Sequence, residues 1–119
     1  KKKKKKLDGN YPTGTENTAL GDTALDSVQA GGNYNVVLGS RAGTNITTGD
    51  NNVGVGAYAL CDIQTNSQNV AIGTETLKKN TADNNTAVGY ISLRCNTTGA
   101  NTTSLGSDSL KSNIQVLIL

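Results

Sequence analysis

Every 16 to 18 residues this chain returns to one pattern: Asn, a β-branched residue, a small residue, an aliphatic and Gly, then two variable positions, a small residue and Leu. The copies are Asn17-Thr-Ala-Leu-Gly21, Asn35-Val-Val-Leu-Gly39, Asn52-Val-Gly-Val-Gly56, Asn69-Val-Ala-Ile-Gly73, Asn85-Thr-Ala-Val-Gly89 and Thr102-Thr-Ser-Leu-Gly106. Counting from each Gly as zero, position −3 is always β-branched and position −1 always aliphatic, the alternation of a half-buried strand. That alternation predicts −3 and −1 on the core face. Position −2 (Ala19, Val37, Gly54, Ala71, Ala87, Ser104) is mostly small and is expected to face a closely approaching layer or chain. The Leu at +4 lies five residues after −1, an odd interval, so a bend at the Gly must return it to the core. In the second copy Gly43 takes the place of that Leu, which predicts a packing defect or a tighter turn there.

Turn-forming residues fill the rest of each copy, as in Asn45-Ile-Thr-Thr-Gly49 and Asn96-Thr-Thr-Gly99. Two short strands and a loop per copy are therefore expected. Asn, Gly and β-branched residues are poor helix formers, and no run keeps spacing three and four. The predicted class is all-β: a parallel β-solenoid, as β-roll or β-helix, of about six rungs of 16–18 residues. The predicted division is a basic lead-in over 1–16, the repeats over 17–113 and an apolar strand or cap over 114–119. About three apolar residues per rung make a thin core. A homotrimer with parallel, coaxial rungs would supply the missing burial; a lone solenoid and an end-to-end filament remain alternatives.

Composition sharpens this picture. There are 15 Asn, 16 Thr and 14 Gly but no Phe, Trp, Met or His, so a globular core of large side chains is excluded. The net charge of +2 comes from Lys1 to Lys6. The remaining five basic residues face nine acidic ones, so the repeats themselves have no nucleic-acid-binding character. The lysine run is either a solvated tail or a contact for polyanions or anionic membrane. No stretch approaches the roughly 18 apolar residues of a membrane span, and membrane insertion is not expected.

Asn69-Val-Ala-Ile-Gly73 and Asn85-Thr-Ala-Val-Gly89-Tyr-Ile-Ser-Leu93 resemble the head repeats of trimeric autotransporter adhesins. They are still more similar to the Asn-Thr-Ala-(Val/Ile)-Gly-Tyr-x-(Ala/Ser)-Leu repeats of phage and large-virus fibre proteins. The resemblance covers about Asn17 to Leu110. It implies a trimeric left-handed β-roll or β-helix, exposed on a cell surface or virion as an adhesive head or fibre shaft. The adhesin repeat is usually shorter, near 14 residues.

Without His, Ser-His-Asp and Cys-His catalysis and His metal sites are unavailable, and the nine carboxylates do not recur as an acid–base pair. No catalytic residue, metal or cofactor is expected. Asp22, Glu75 and Asp108, near the Gly corner, read as solvated turn residues. Cys61 and Cys95 lie two rungs apart, about 9.6 Å in a stack, too far for a disulfide. Asn17, Asn35, Asn52, Asn69 and Asn85 should stack as an amide ladder, or else sit in independent surface turns. Acceptor triplets occur at Asn45, Asn84, Asn96 and Asn101; Asn45 and Asn96, assigned to loops, are the expected glycosylation pair. Tyr34, Tyr58 and Tyr90 are contact candidates or inter-rung packing. The expected role is an extracellular, cell-surface or virion fibre segment that self-associates and displays loops to a receptor or glycan. Alternatives are a polymerising filament subunit and a glycan- or ice-binding solenoid.

Overall fold

The computed structural model describes residues 14–114, and within them every strand is parallel to its neighbours. Each Asn-to-Gly phrase supplies one short strand: β1 (Thr18–Leu20), β2 (Val36–Leu38), β3 (Val53–Val55), β4 (Val70–Ile72), β6 (Thr86–Val88) and β8 (Thr103–Leu105). They form a six-stranded sheet in the order β1-β2-β3-β4-β6-β8, with the −3, −2 and −1 positions in register throughout. The chain is thus a β-solenoid of about six turns, and the rungs are numbered 1 to 6 by their glycines. The lysine run and residues 115–119 lie outside the described residues.

The sheet faces the opposite way from the sequence expectation. The −2 residues Ala19, Val37, Ala71 and Ala87 are buried, whereas Leu20, Val36, Ile72 and Leu105 on the −3 and −1 columns are exposed. The reason lies in what must fit inside. Leu25, Leu60, Leu77 and Leu93 at +4 are fully buried, and they stand six residues after −2, an even interval. One large Leu from the turn opposite one small residue from the strand fills the narrow interior; two large columns would overfill it. Leu110, in the last rung, is about half exposed.

Rung 2 shows the same volume rule. A Cβ on Gly43 would come within 2.9 Å of both Val37 Cγ1 and Ile46 Cδ1, so the space left by the missing Leu is filled rather than empty. Val37 is the largest −2 residue, and it stands opposite the smallest +4 residue. Rung 3 inverts the pair, with Gly54 opposite Leu60, whose Cδ1 lies 3.1 Å from where a Cβ would be.

The bend is made by more than the Gly. The amide of +3 donates to the carbonyl of the Gly in every rung, from Ala24 to Gly21 at 3.3 Å through Ser109 to Gly106 at 3.2 Å. Among the described residues, all 17 non-glycine residues with positive φ fall at three positions: −5, +2 and +4. Thr23, Arg41, Tyr58, Glu75, Ile91 and Asp108 hold φ of 55–61° at +2, and the five leucines hold 45–56° at +4. Such backbone costs L-residues about 1 kcal/mol each, which the stacked hydrogen bonds and Leu burial offset. The rung glycines are required by contact as well: a Cβ on Gly39, Gly56, Gly73 or Gly89 would sit 2.6 Å from the next rung glycine's carbonyl oxygen.

Among the described residues, a second strand per rung occurs in the later half alone. β5 (Lys79–Asn80), β7 (Cys95–Asn96) and β9 (Ser112–Asn113) form a three-stranded parallel sheet. In rungs 2 and 3 the corresponding Ile46 and Ile63 amides turn back to the carbonyls of Gly43 and Leu60 in their own rung. Contrary to the expectation of two strands in every rung, that side of rungs 1–3 is a run of turns.

Candidate functional site

The described surface offers two kinds of specialised position: buried amide ladders that lock the rungs together, and an outer sheet face that presents side chains along the stack.

Asn17, Asn35, Asn52, Asn69 and Asn85 are fully buried at −4. Each Oδ1 accepts the backbone N–H of the next residue in the column: Asn35 at 2.8 Å, Asn52, Asn69 and Asn85 each at 3.0 Å, and Thr102 at 2.9 Å. Each Nδ2 donates to a further acceptor. Asn17 Nδ2 donates to the Gly32 carbonyl, Asn35 Nδ2 to Gly49 and Asn52 Nδ2 to Asn66, each time the loop carbonyl seven residues before the following rung Gly. Asn suits the column because one short side chain carries both donor and acceptor. Threonine serves at 102 because the incoming bond uses its backbone N–H.

A second ladder runs through a segment that the sequence reads as loop. Asn80, Asn96 and Asn113 at +7 are linked by Asn96 Nδ2 to Asn80 Oδ1 at 2.7 Å and Asn113 Nδ2 to Asn96 Oδ1 at 2.8 Å. Asn85 Nδ2 donates to Asn80 Oδ1 at 3.2 Å, which ties the two ladders. This overturns the glycosylation pair. Asn96 is fully buried in β7, and its Nδ2 also donates to the Gly99 carbonyl at 2.7 Å, so no glycan can reach it. Asn45 is partly exposed, and Asn84 and Asn101 are the exposed acceptor asparagines. The signal was present as an Asn at one fixed distance after three successive glycines.

A third column at −6 runs in the opposite sense. Asn33 Oδ1 accepts the Thr15 N–H and Asp50 Oδ1 the Asn33 N–H, both at 2.7 Å; Ser67 Oγ accepts the Asp50 N–H at 3.0 Å and Asp83 Oδ1 the Ser67 N–H at 2.8 Å. Asp50 and Asp83 are therefore rung fasteners. Of the corner carboxylates, Glu75 lies 3.6 Å from Arg94 and Asp108 3.9 Å from Lys111, while Asp62 lies 3.7 Å from Lys78. Asp22 also has an interaction partner.

Twelve residues make up the −3 and −1 columns of the outer face: Thr18, Val36, Val53, Val70, Thr86 and Thr103, beside Leu20, Leu38, Val55, Ile72, Val88 and Leu105. None carries a charge and none is buried. With strands about 4.8 Å apart, the strip is about 24 Å long. The tyrosines lie elsewhere. Tyr34 is 52% and Tyr90 54% exposed, whereas Tyr58 is flanked by Arg41 Cζ at 5.7 Å and Lys78 Nζ at 6.0 Å from its ring centre. They form no common patch by column: Tyr34 sits at −5, Tyr90 at +1 and Tyr58 at +2.

Cys61 and Cys95 are unbonded. Burial, reinforced by the neighbouring Asp62 carboxylate, pushes the Cys61 thiol up from its ordinary value. Among the described residues no group of three His, Cys, Asp or Glu could hold a metal ion, and no helix is long and apolar enough to cross a membrane. Compared with known families, characterised proteins and solved structures, the chain gives no match.

Proposed function

We propose that this chain is a structural segment of an extracellular or virion fibre, whose copies associate side by side as a homotrimer and display loops for attachment. The observation that carries the reading is the uncharged outer strip, which runs unbroken across all six strands. An exposed, uncharged and largely aliphatic strip of this length on a repeat protein is the mark of an association surface. The association face is thereby moved from the small −2 column, which is internal, to the −3 and −1 columns. Burial of Leu20, Ile72 and Leu105 in a neighbour would supply the apolar contact that the narrow interior lacks. The role is one of scaffold and display rather than catalysis.

Sedimentation equilibrium tests this directly. The expected particle mass is three times the 12.3 kDa chain. Val53→Lys with Ile72→Lys should reduce it to monomer while leaving the far-ultraviolet spectrum of a β-protein, because both side chains face outward. A wild-type monomer would overturn the reading, and long fibres under the electron microscope would replace the trimer with a filament.

A further inference from the structure

Rung 4 is one residue shorter than its neighbours. Gly73 and Gly89 are 16 residues apart, against 17 on either side, and four residues separate Asn80 from Asn85 where five separate Ile63 from Asn69. The first ladder registers the shortening. Asn17, Asn35 and Asn52 each donate to the carbonyl that lies seven residues before the following rung Gly, but Asn69 Nδ2 turns back to Ser67, two residues before it in the chain, at 3.2 Å. The loop after Ile63 is therefore one residue longer than the loop after Asn80 on which it stacks. A cleft of about 340 Å³ opens there, lined by Asp62, Gln64, Thr65, Asn66, Asn80 and Thr81.

The chemistry of this cleft is unusual for its size. Small-molecule sites begin near 300 Å³ and are mostly apolar; here every lining residue is polar. Among the described residues, the side chains of Gln64 and Thr65 take no hydrogen bond, and Asn66 uses only its Nδ2, in a long 3.4 Å contact with Asp83. The one carboxylate, Asp62, is matched by Lys78 at 3.7 Å. An apolar ligand would find no apolar side chain, an anion no free positive charge, and a metal ion only one carboxylate. What the site offers is a set of amide and hydroxyl donors and acceptors, backed by a rigid wall in which Asn80 is fixed by Asn96. Adjacent hydroxyl groups on one small ring are the complementary chemistry.

We propose that the cleft between the loops of rungs 3 and 4 binds a neutral saccharide through Gln64, Thr65, Asn66 and Asp62. The site gives the attachment role a ligand class and rests on that role for its setting, but it lies within one chain and does not need association. Amide chemical shifts, followed while adding lactose, N-acetyllactosamine, cellobiose and maltose in turn, test it. At least one disaccharide should shift Gln64, Thr65, Asn66 and Thr81 saturably. Gln64→Ala with Thr65→Val should weaken that binding at least ten-fold without changing the fold, because neither side chain bonds within the chain. One glycine inserted after Ala82, which restores a 17-residue rung, should abolish it. The proposal is overturned if none of the four sugars shifts these amides, if shifts map elsewhere, or if inorganic phosphate or calcium chloride shifts them and the sugars do not. The titration reads the chain at whatever mass it has, so its failure and a failed sedimentation test are separate results.

Discussion

Rungs 1–3 and rungs 4–6 share the first strand and the Gly corner but fill their interiors with different chemistry. At +3 the first half carries Ala24, Ala42 and Ala59, and the second Thr76, Ser92 and Ser109. At +7 the first half carries Val28, Ile46 and Ile63, and the second Asn80, Asn96 and Asn113. In the first half these columns are apolar and buried. In the second they are hydrogen-bonded: Thr76 Oγ1 donates to the Gly89 carbonyl at 2.6 Å, the Ser92 and Ser104 hydroxyls share a bond at 2.8 Å, and the Asn column bonds end to end. Two columns change together between rungs 3 and 4, and the second sheet begins at the same point. The lesson is that a stacked backbone accepts either filling, provided that the whole column agrees. A ladder amide finds its partner one rung away, so a polar residue is inexpensive inside a polar column and costly inside an apolar one.

The sharpest way to break the comparison is to put one half's residue into the other. Ile46→Asn lies between Val28 and Ile63, so it loses apolar burial and strands an amide, and should destabilise by about 3–5 kcal/mol in urea denaturation. Asn96→Ala removes the central member of the polar column and leaves Asn80 Oδ1, Asn113 Nδ2 and the Gly99 carbonyl short of a partner, an expected loss of about 2–3 kcal/mol by the same assay. Asn69→Ala, at the boundary, strips the Asn85 N–H of its acceptor and should cost about 1–3 kcal/mol. The exposed Thr65→Ala should change the midpoint by less than about 0.5 kcal/mol. Equal midpoints for these last two would reject the ladder as a source of stability.

The two cysteines sample one half each. Cys61 is buried and Cys95 partly exposed, so iodoacetamide followed by mass spectrometry should label Cys95 first. The raised Cys61 pKa means that the folded state holds this proton more tightly than the unfolded one. Its contribution to stability is complete below the unfolded thiol value and is lost as pH rises through the folded one. Thermal melting of wild type should therefore fall more steeply above about pH 9 than that of Cys61→Ala. The smallest effect concerns the left-handed −5 corner, where Asn51, Asn84 and Asn101 suit the backbone and Gln68 does not. Gln68→Asn should stabilise by a few tenths of a kcal/mol, because Asn tolerates positive φ better.

The strand positions, the parallel register and the Asn column at −4 were legible in the sequence. A period carried by six glycines leaves one way to stack the copies, and an Asn at constant phase before each strand has to meet its equivalents. The columns at +7 and −6 are equally periodic, but +7 switches from aliphatic to Asn half-way along the chain and −6 changes residue type from rung to rung, so neither reads as one motif throughout. Asn96 illustrates this: its Asn-Thr-Thr-Gly context reads as a loop, yet it stands below Asn80 and above Asn113 and is buried between them.

A parallel β-solenoid of about six rungs follows from period and β-branched alternation alone, because these are local properties that every copy repeats. Which face of the strand turns inward was decided only by the tertiary structure. Alternation states that −2 opposes −1 and −3 without stating which side is the core, and chemical preference alone puts the larger aliphatics inside. The left-handed +2 and +4 residues reverse that choice: they swing the Leu at +4 across the interior, where the volume that remains admits Ala but not a second Leu.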